Sequence, residues 1–148
     1  MKIRVVSVGR DKGFTAEGVE EYAARLRRAA GLELVEIAAA TGPSAKEREA
    51  ERILERRLAR GELWALDERG TELTSVELSR RIARLRDSAL DLTICVGGDE
   101  GLAPAVVQKA DFAWSLSRLT LPHRLARVVA LEQLYRAFEI LRGAPYHK

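Results

Sequence analysis

Five short runs rich in valine, isoleucine and leucine punctuate the chain, at Ile3–Val8, Leu32–Ile37, Leu63–Leu66, Leu92–Val96 and Phe112–Leu116, with amphipathic stretches between them. Strands joined through helices cannot close as hairpins, so neighbours must run parallel, and a parallel sheet buries both of its faces. The pattern therefore predicts an α/β fold, a mainly parallel sheet with helices on both faces. The 148 residues contain no linker, repeat or low-complexity segment and read as one domain, 1–148.

Helix starts are marked by polar caps. Ser44-x-x-Glu47 after Pro43 and Thr74-x-x-Glu77 are capping boxes, and Thr15 is a cap for a helix over Glu17–Arg28. The stretch Ala45–Arg60 is so charged that only Ile53, Leu54 and Leu58 form an apolar stripe, which places it at the periphery. A last helix, Arg124–Arg142, carries Leu125, Val128, Val129, Leu131, Tyr135, Phe138 and Leu141 on one broad face.

The opening MKIRVVSVGR has neither the apolar run nor the cleavage site of a signal peptide, and no stretch approaches the ~20 apolar residues of a membrane span. A lone Cys95 inside an apolar run reads as a packing residue in a reducing, cytoplasmic setting. The net charge of +3 is small but uneven: residues 115–148 hold six Lys/Arg against two acids, leaving 19 against 20 in residues 1–114. That excess suits a polyanion, or forms a solvated face.

Ligands of open α/β sheets bind beyond the carboxyl ends of strands, which directs attention to Ala65–Gly70, Val96–Pro104 and Ser115–His123. Gly97 and Gly98 permit close backbone approach to a ligand, or a tight strand-to-helix turn. The loop is neither a P-loop nor a dinucleotide fingerprint, lacking Gly-Lys-Ser/Thr and an early GxGxxG. Asp67 with Glu68, and Asp99 with Glu100, are possible paired acids or helix-dipole partners. With only His123 and His147, no Cys/His set has metal spacing and no metal is expected. Trp114–His123 mixes apolar and hydroxyl residues without period, as a wall for an adenine ring and a sulfonium would, or as a buried connection capped through Thr120. The tail after Gly143 and Pro145 brings Tyr146, His147 and Lys148, suited to stacking and phosphate contact, or a frayed end.

Taken together, Met1-Lys-Ile…Val8-Gly9, Gly97-Gly-x-x-Gly101-Leu, Ser115-Leu-Ser…Leu119-Thr-Leu-Pro-His123, Arg127-Val-Val…Glu132-Gln-Leu-Tyr-Arg-Ala137 and Pro145-Tyr-His-Lys148 resemble the ribosomal RNA large subunit methyltransferase H family of the SPOUT superfamily. The resemblance spans nearly the whole chain; Asp99 stands where some relatives have proline. It implies a C-terminal trefoil knot, S-adenosyl-L-methionine as methyl donor, a homodimer, and methylation of pseudouridine N3 in the helix-69 loop of 23S rRNA on the assembled 70S ribosome. It implies cofactor contacts at Leu66, Gly97, Leu116, Ser117, Arg118, Leu119, Thr120 and Leu121, to which the reading of the glycine loop adds Gly98. For catalysis, Arg142 is the charge beside the developing anion, His123 or His147 the proton acceptor, and Tyr146 a stacking or positioning group. A non-catalytic ribosome-binding or assembly factor using the same basic C-terminus is the alternative.

Overall fold

The computed structural model describes residues 1–148. Five parallel strands, β1 (Lys2–Val8), β2 (Gly31–Ile37), β3 (Gly61–Glu72), β4 (Asp91–Val96) and β5 (Phe112–Ser115), stand in the order β2-β1-β4-β3-β5. Five helices connect and follow them: α1 (Phe14–Leu26), α2 (Ala45–Glu55), α3 (Ser75–Asp87), α4 (Pro104–Lys109) and α5 (His123–Leu141).

Alternation along each strand sorts the apolar residues into two cores. Ile3, Val5, Trp64, Leu92, Ile94 and Trp114 meet α1, α3 and α5 through Val19, Ala23, Ile82, Leu131 and Leu134. On the other face Val6, Val8, Leu63, Ala65 and Cys95 meet the smaller α2 and α4 through Ala50, Ile53 and Val106. Cys95 is fully buried, and burial pushes its thiol up to about 12. No helix is long and apolar enough to cross a membrane.

Several expectations are corrected. β3 does not end at Leu66: Ala65–Gly70 lies inside it as a bulge, where Leu66 and Thr71 both pair with Trp114. The charged residues there interrupt the apolar run without interrupting the strand. Gly70 is required, since a Cβ would lie 2.4 Å from the Ala113 carbonyl oxygen. The Thr74–Glu77 capping box forms, whereas Ser44 sits in a turn conformation and makes no side-chain cap. α1 begins at Phe14, capped by Gly13, so Thr15 lies within its first turn and donates to the Lys12 carbonyl at 2.9 Å. α2 stops at Glu55, buries Ala50 and Ile53, and leaves Leu58 half-buried beyond its end. On α5, Leu131 and Phe138 are buried, but Leu125, Val128, Val129, Tyr135 and Leu141 are only half-buried, and Arg127 and Glu139 go inside instead. Thr120 is exposed and does not cap α5.

Candidate functional site

At the carboxyl end of the sheet, three segments enclose a cleft of about 910 Å³: the β3 bulge, the loop after β4, and the stretch from β5 into α5. The β4 loop closes through an antiparallel bridge between Gly98 and Gly101, whose N–H donates to the Gly98 carbonyl at 3.0 Å. A Cβ on Gly97 would sit 2.4 Å from the Gly101 carbonyl carbon, so this glycine serves the loop's own closure. At Gly98 the nearest atom would be Val8 Cγ1 at 3.3 Å, which leaves Gly98 as the backbone offered to a ligand.

Leu66, Gly97, Gly98, Leu116, Ser117, Leu119, Thr120 and Leu121 all line this cleft; Arg118 is exposed and does not. The stretch after β5 is held by Ser115, whose hydroxyl lies 3.1 Å from the Glu68 carbonyl and 3.0 Å from that of Ser117. One wall is apolar, from Leu66, Trp114, Leu116 and Leu121. The opposite rim is the first turn of α5, which has no side-chain cap and no acid, so its free N–H groups favour an anion. Arg124 adds a buried Nε without a partner. The cleft thus matches a ligand with a flat apolar end and an anionic end.

Two acids of this region, Asp67 and Asp99, have partners. Arg69 grips Asp67 at 3.1 Å, and that hydrogen bond holds the carboxyl below the usual carboxylate range. Asp99 is exposed but lies 3.1 Å from Nδ1 of His123. Burial depresses His123 below the ordinary histidine value; Asp99 opposes this, and Arg124 and Arg127 reinforce it. The imidazole is therefore neutral near pH 7, with Nδ1 facing Asp99. Behind it, Asp11 and Arg127 form a buried ion pair at 2.5 Å, with Arg127 also reaching the Val8 carbonyl at 3.5 Å.

The tail forms a second cluster, away from the cleft. Gly143, at φ +71, ends α5 in a Schellman turn, with Ala144 N–H on the Glu139 carbonyl at 2.9 Å and Gly143 N–H on that of Ile140 at 3.0 Å. The turn sends Tyr146 back onto the helix, where its hydroxyl donates to Glu132 at 2.9 Å and its ring stacks edge-on against Tyr135 at 4.8 Å. Burial and Glu132 push that phenol well above its ordinary value. Arg136 lies over the ring at 4.6 Å and reaches Nδ1 of His147 at 3.2 Å. Arg142 is not in this group, being held by Glu139 through two contacts of 2.7 Å. Glu132 stands nine residues along α5 from His123, about 14 Å.

The family model described as a predicted SPOUT methyltransferase matches residues 1–147. The ribosomal RNA large subunit methyltransferase H of Anaeromyxobacter dehalogenans is 49% identical over 153 residues, covering 100% of both chains. That of Hydrogenovibrio crunogenus is 42% identical, covering 100% of this chain and 99% of the relative. The chain belongs to the ribosomal RNA large subunit methyltransferase H family. A probable methylase family protein from Haemophilus influenzae shares the fold at TM-score 0.60 and 13% identity, over 99% of this chain and 70% of that one.

In this member of the methyltransferase family two charged residues, Arg136 and Asp11, hold places that no motif in the sequence singled out. Arg136, not Arg142, is the cation grouped with Tyr146 and His147; its place beside Tyr135 inside a resemblance-bearing run was the available signal. Asp11 gave none, because its partner lies 116 residues away.

Proposed function

We propose that the chain transfers the methyl group of S-adenosyl-L-methionine to N3 of a pseudouridine in the helix-69 loop of 23S rRNA, working in the cytoplasm as a homodimer on the 70S ribosome. The observation that carries the reading is the cleft itself, in which eight of the nine expected cofactor positions converge. Bound there, the cofactor would supply an electrophilic methyl group. The apolar wall and the Gly98 backbone would take the adenosine, while the first turn of α5 and Arg124 would take the carboxylate. No metal enters this reading. We take the passage from Ser115 through α5 as the threaded knot that the family resemblance implies.

The residues' task is to align the base and move one proton. N3 lies between two carbonyls, and positive charge beside it stabilises the anion left when its proton departs. Arg136, held in place by Glu132 at 2.7 Å, supplies that charge in this reading, in place of Arg142. Tyr146 positions the base, and His147 accepts the proton; neutral His123, at the cleft rim, is the other acceptor. Within one chain the tail cluster and the cleft are too far apart to act on one base, so the partner's tail completes each site. The half-buried Leu125 and Val129 offer α5 surface for that contact.

Calorimetric titration with S-adenosyl-L-methionine, followed by mass spectrometry of methylated 23S rRNA from treated ribosomes, tests the proposal. Cofactor binding in the micromolar range and one added methyl on the loop pseudouridine are expected. Binding to ribosomes without cofactor binding or methylation would establish the non-catalytic assembly factor instead.

A further inference from the structure

We infer that the loop between β1 and α1, residues 10–14, is an RNA-docking surface on which Phe14 stacks an unpaired base while Arg10 and Lys12 meet the flanking phosphates. The inference rests on the RNA substrate proposed above and adds a surface outside both the cleft and the tail cluster.

Phe14 is 77% exposed, the highest value among the large hydrophobic side chains left in water. A single exposed apolar residue is ordinary; the loop that carries it is not loose. Gly9 N–H donates to the Ile37 carbonyl at 2.8 Å, and Thr15 fixes the Lys12 carbonyl at 2.9 Å. Gly13 caps α1 at φ 64 and ψ −147, a conformation essentially confined to glycine. The backbone is thus committed to holding the aromatic ring outward at the start of a helix.

Charge identifies the partner. The loop's own acid, Asp11, is turned inward and neutralised by Arg127, so residues 10–14 show the solvent two cations and a ring. Arg10 is 89% exposed and is met only by an exposed, long ion pair with Glu36 at 3.8 Å, which solvent screens and a phosphate can displace. An exposed aromatic face beside cations is the arrangement that holds single-stranded nucleic acid, because every base has a stacking face and every linkage a negative charge. The place is right as well. The loop leaves β1 at Val8, the nearest neighbour of Gly98, and is pinned to α5 one turn beyond the cleft residue His123. An RNA loop presenting a base to the cleft would lie across it.

The test measures RNA binding without cofactor, using a fluorescent RNA hairpin with a single-stranded loop at several salt concentrations, together with sedimentation. Phe14→Ala should weaken binding about tenfold while Phe14→Tyr keeps it. The Arg10→Ala/Lys12→Ala pair should flatten the salt dependence by about two phosphate contacts. S-adenosyl-L-methionine affinity and sedimentation should stay as in the wild type, and on ribosomes Phe14→Ala should raise KM and leave kcat unchanged. Wild-type hairpin affinity in Phe14→Ala overturns the inference. So does a monomeric Phe14→Ala protein, which would make the ring a contact between subunits. If wild-type protein fails to methylate but the variants still differ in RNA affinity, the catalytic reading falls and the surface stands.

Discussion

Single residues in this molecule are set by what surrounds them more than by their type. Arg127 is a charged side chain only 2% exposed, tolerable because Asp11 meets it and Val8 accepts from it. Removing one partner strands the other charge in a dry site, so Asp11→Ala should destabilise the protein by about 3–5 kcal/mol in denaturant unfolding, while Asp11→Leu/Arg127→Met should recover most of the loss. An unchanged unfolding midpoint in Asp11→Ala would show that the pair contributes nothing. His123 gives a pH signature. Burial lowers its pKa from the ordinary 6.5, so below that value the unfolded chain takes up a proton that the folded one resists. Stability is intact above pH 6.5 and falls as pH drops through it towards the lower folded value. His123→Gln lacks this acid-side loss, so the gap between the two proteins in unfolding midpoint should change from neutral pH to about pH 5.5. A constant gap would mean that His123 titrates normally.

At the level of elements, the sequence announced whatever depends on local chemistry. Four of the strands lie where the apolar runs are, and the Thr74–Glu77 box formed because Thr74 adopts the extended conformation that lets its hydroxyl face the helix amides. Ser44 has the same motif but a turn backbone, which no residue type reveals. The β3 bulge was illegible because its pairing is decided by Trp114, far along the chain. The glycine loop was legible as special but not glycine by glycine. Gly97→Ala should lower both the melting temperature and cofactor affinity, because its Cβ strikes the loop's own backbone. Gly98→Ala, with only Val8 at 3.3 Å, should stay within a few degrees of wild type yet bind S-adenosyl-L-methionine at least ~10-fold more weakly. Equal affinity there would remove Gly98 from the site. Helix ends supply a control. α3 closes with Ala89 at φ 54, donating to the Arg86 carbonyl at 3.0 Å, while Leu90 donates to that of Leu85 at 2.9 Å. Glycine suits that left-handed position better than alanine, so Ala89→Gly should raise stability by roughly 0.5–1 kcal/mol with activity unchanged.

Across the whole molecule, the sheet gathers the cleft at one pole and α5 carries the tail cluster away from it. The proposed cofactor positions lie at three strand ends at one pole, whereas Tyr146, His147 and Arg136 are folded onto the far part of α5 by the Schellman turn at Gly143. A helix is too stiff to bring its own far end to its start, so in the proposed reaction a base held by the tail would meet the cleft of another copy. This makes the division of labour measurable. A Gly98→Val protein should fold as a dimer and fail to bind the cofactor; an Arg136→Ala protein should bind the cofactor and fail to methylate. Each alone is inactive. Mixed in equal amounts and allowed to exchange subunits, half of the dimers pair the two variants, and each such dimer has one cleft and one opposing tail both intact. Activity should return to roughly a quarter of wild type per site. If tail and cleft worked within one chain, no dimer in the mixture would hold a complete site, and the mixture would stay as inactive as its components despite confirmed exchange.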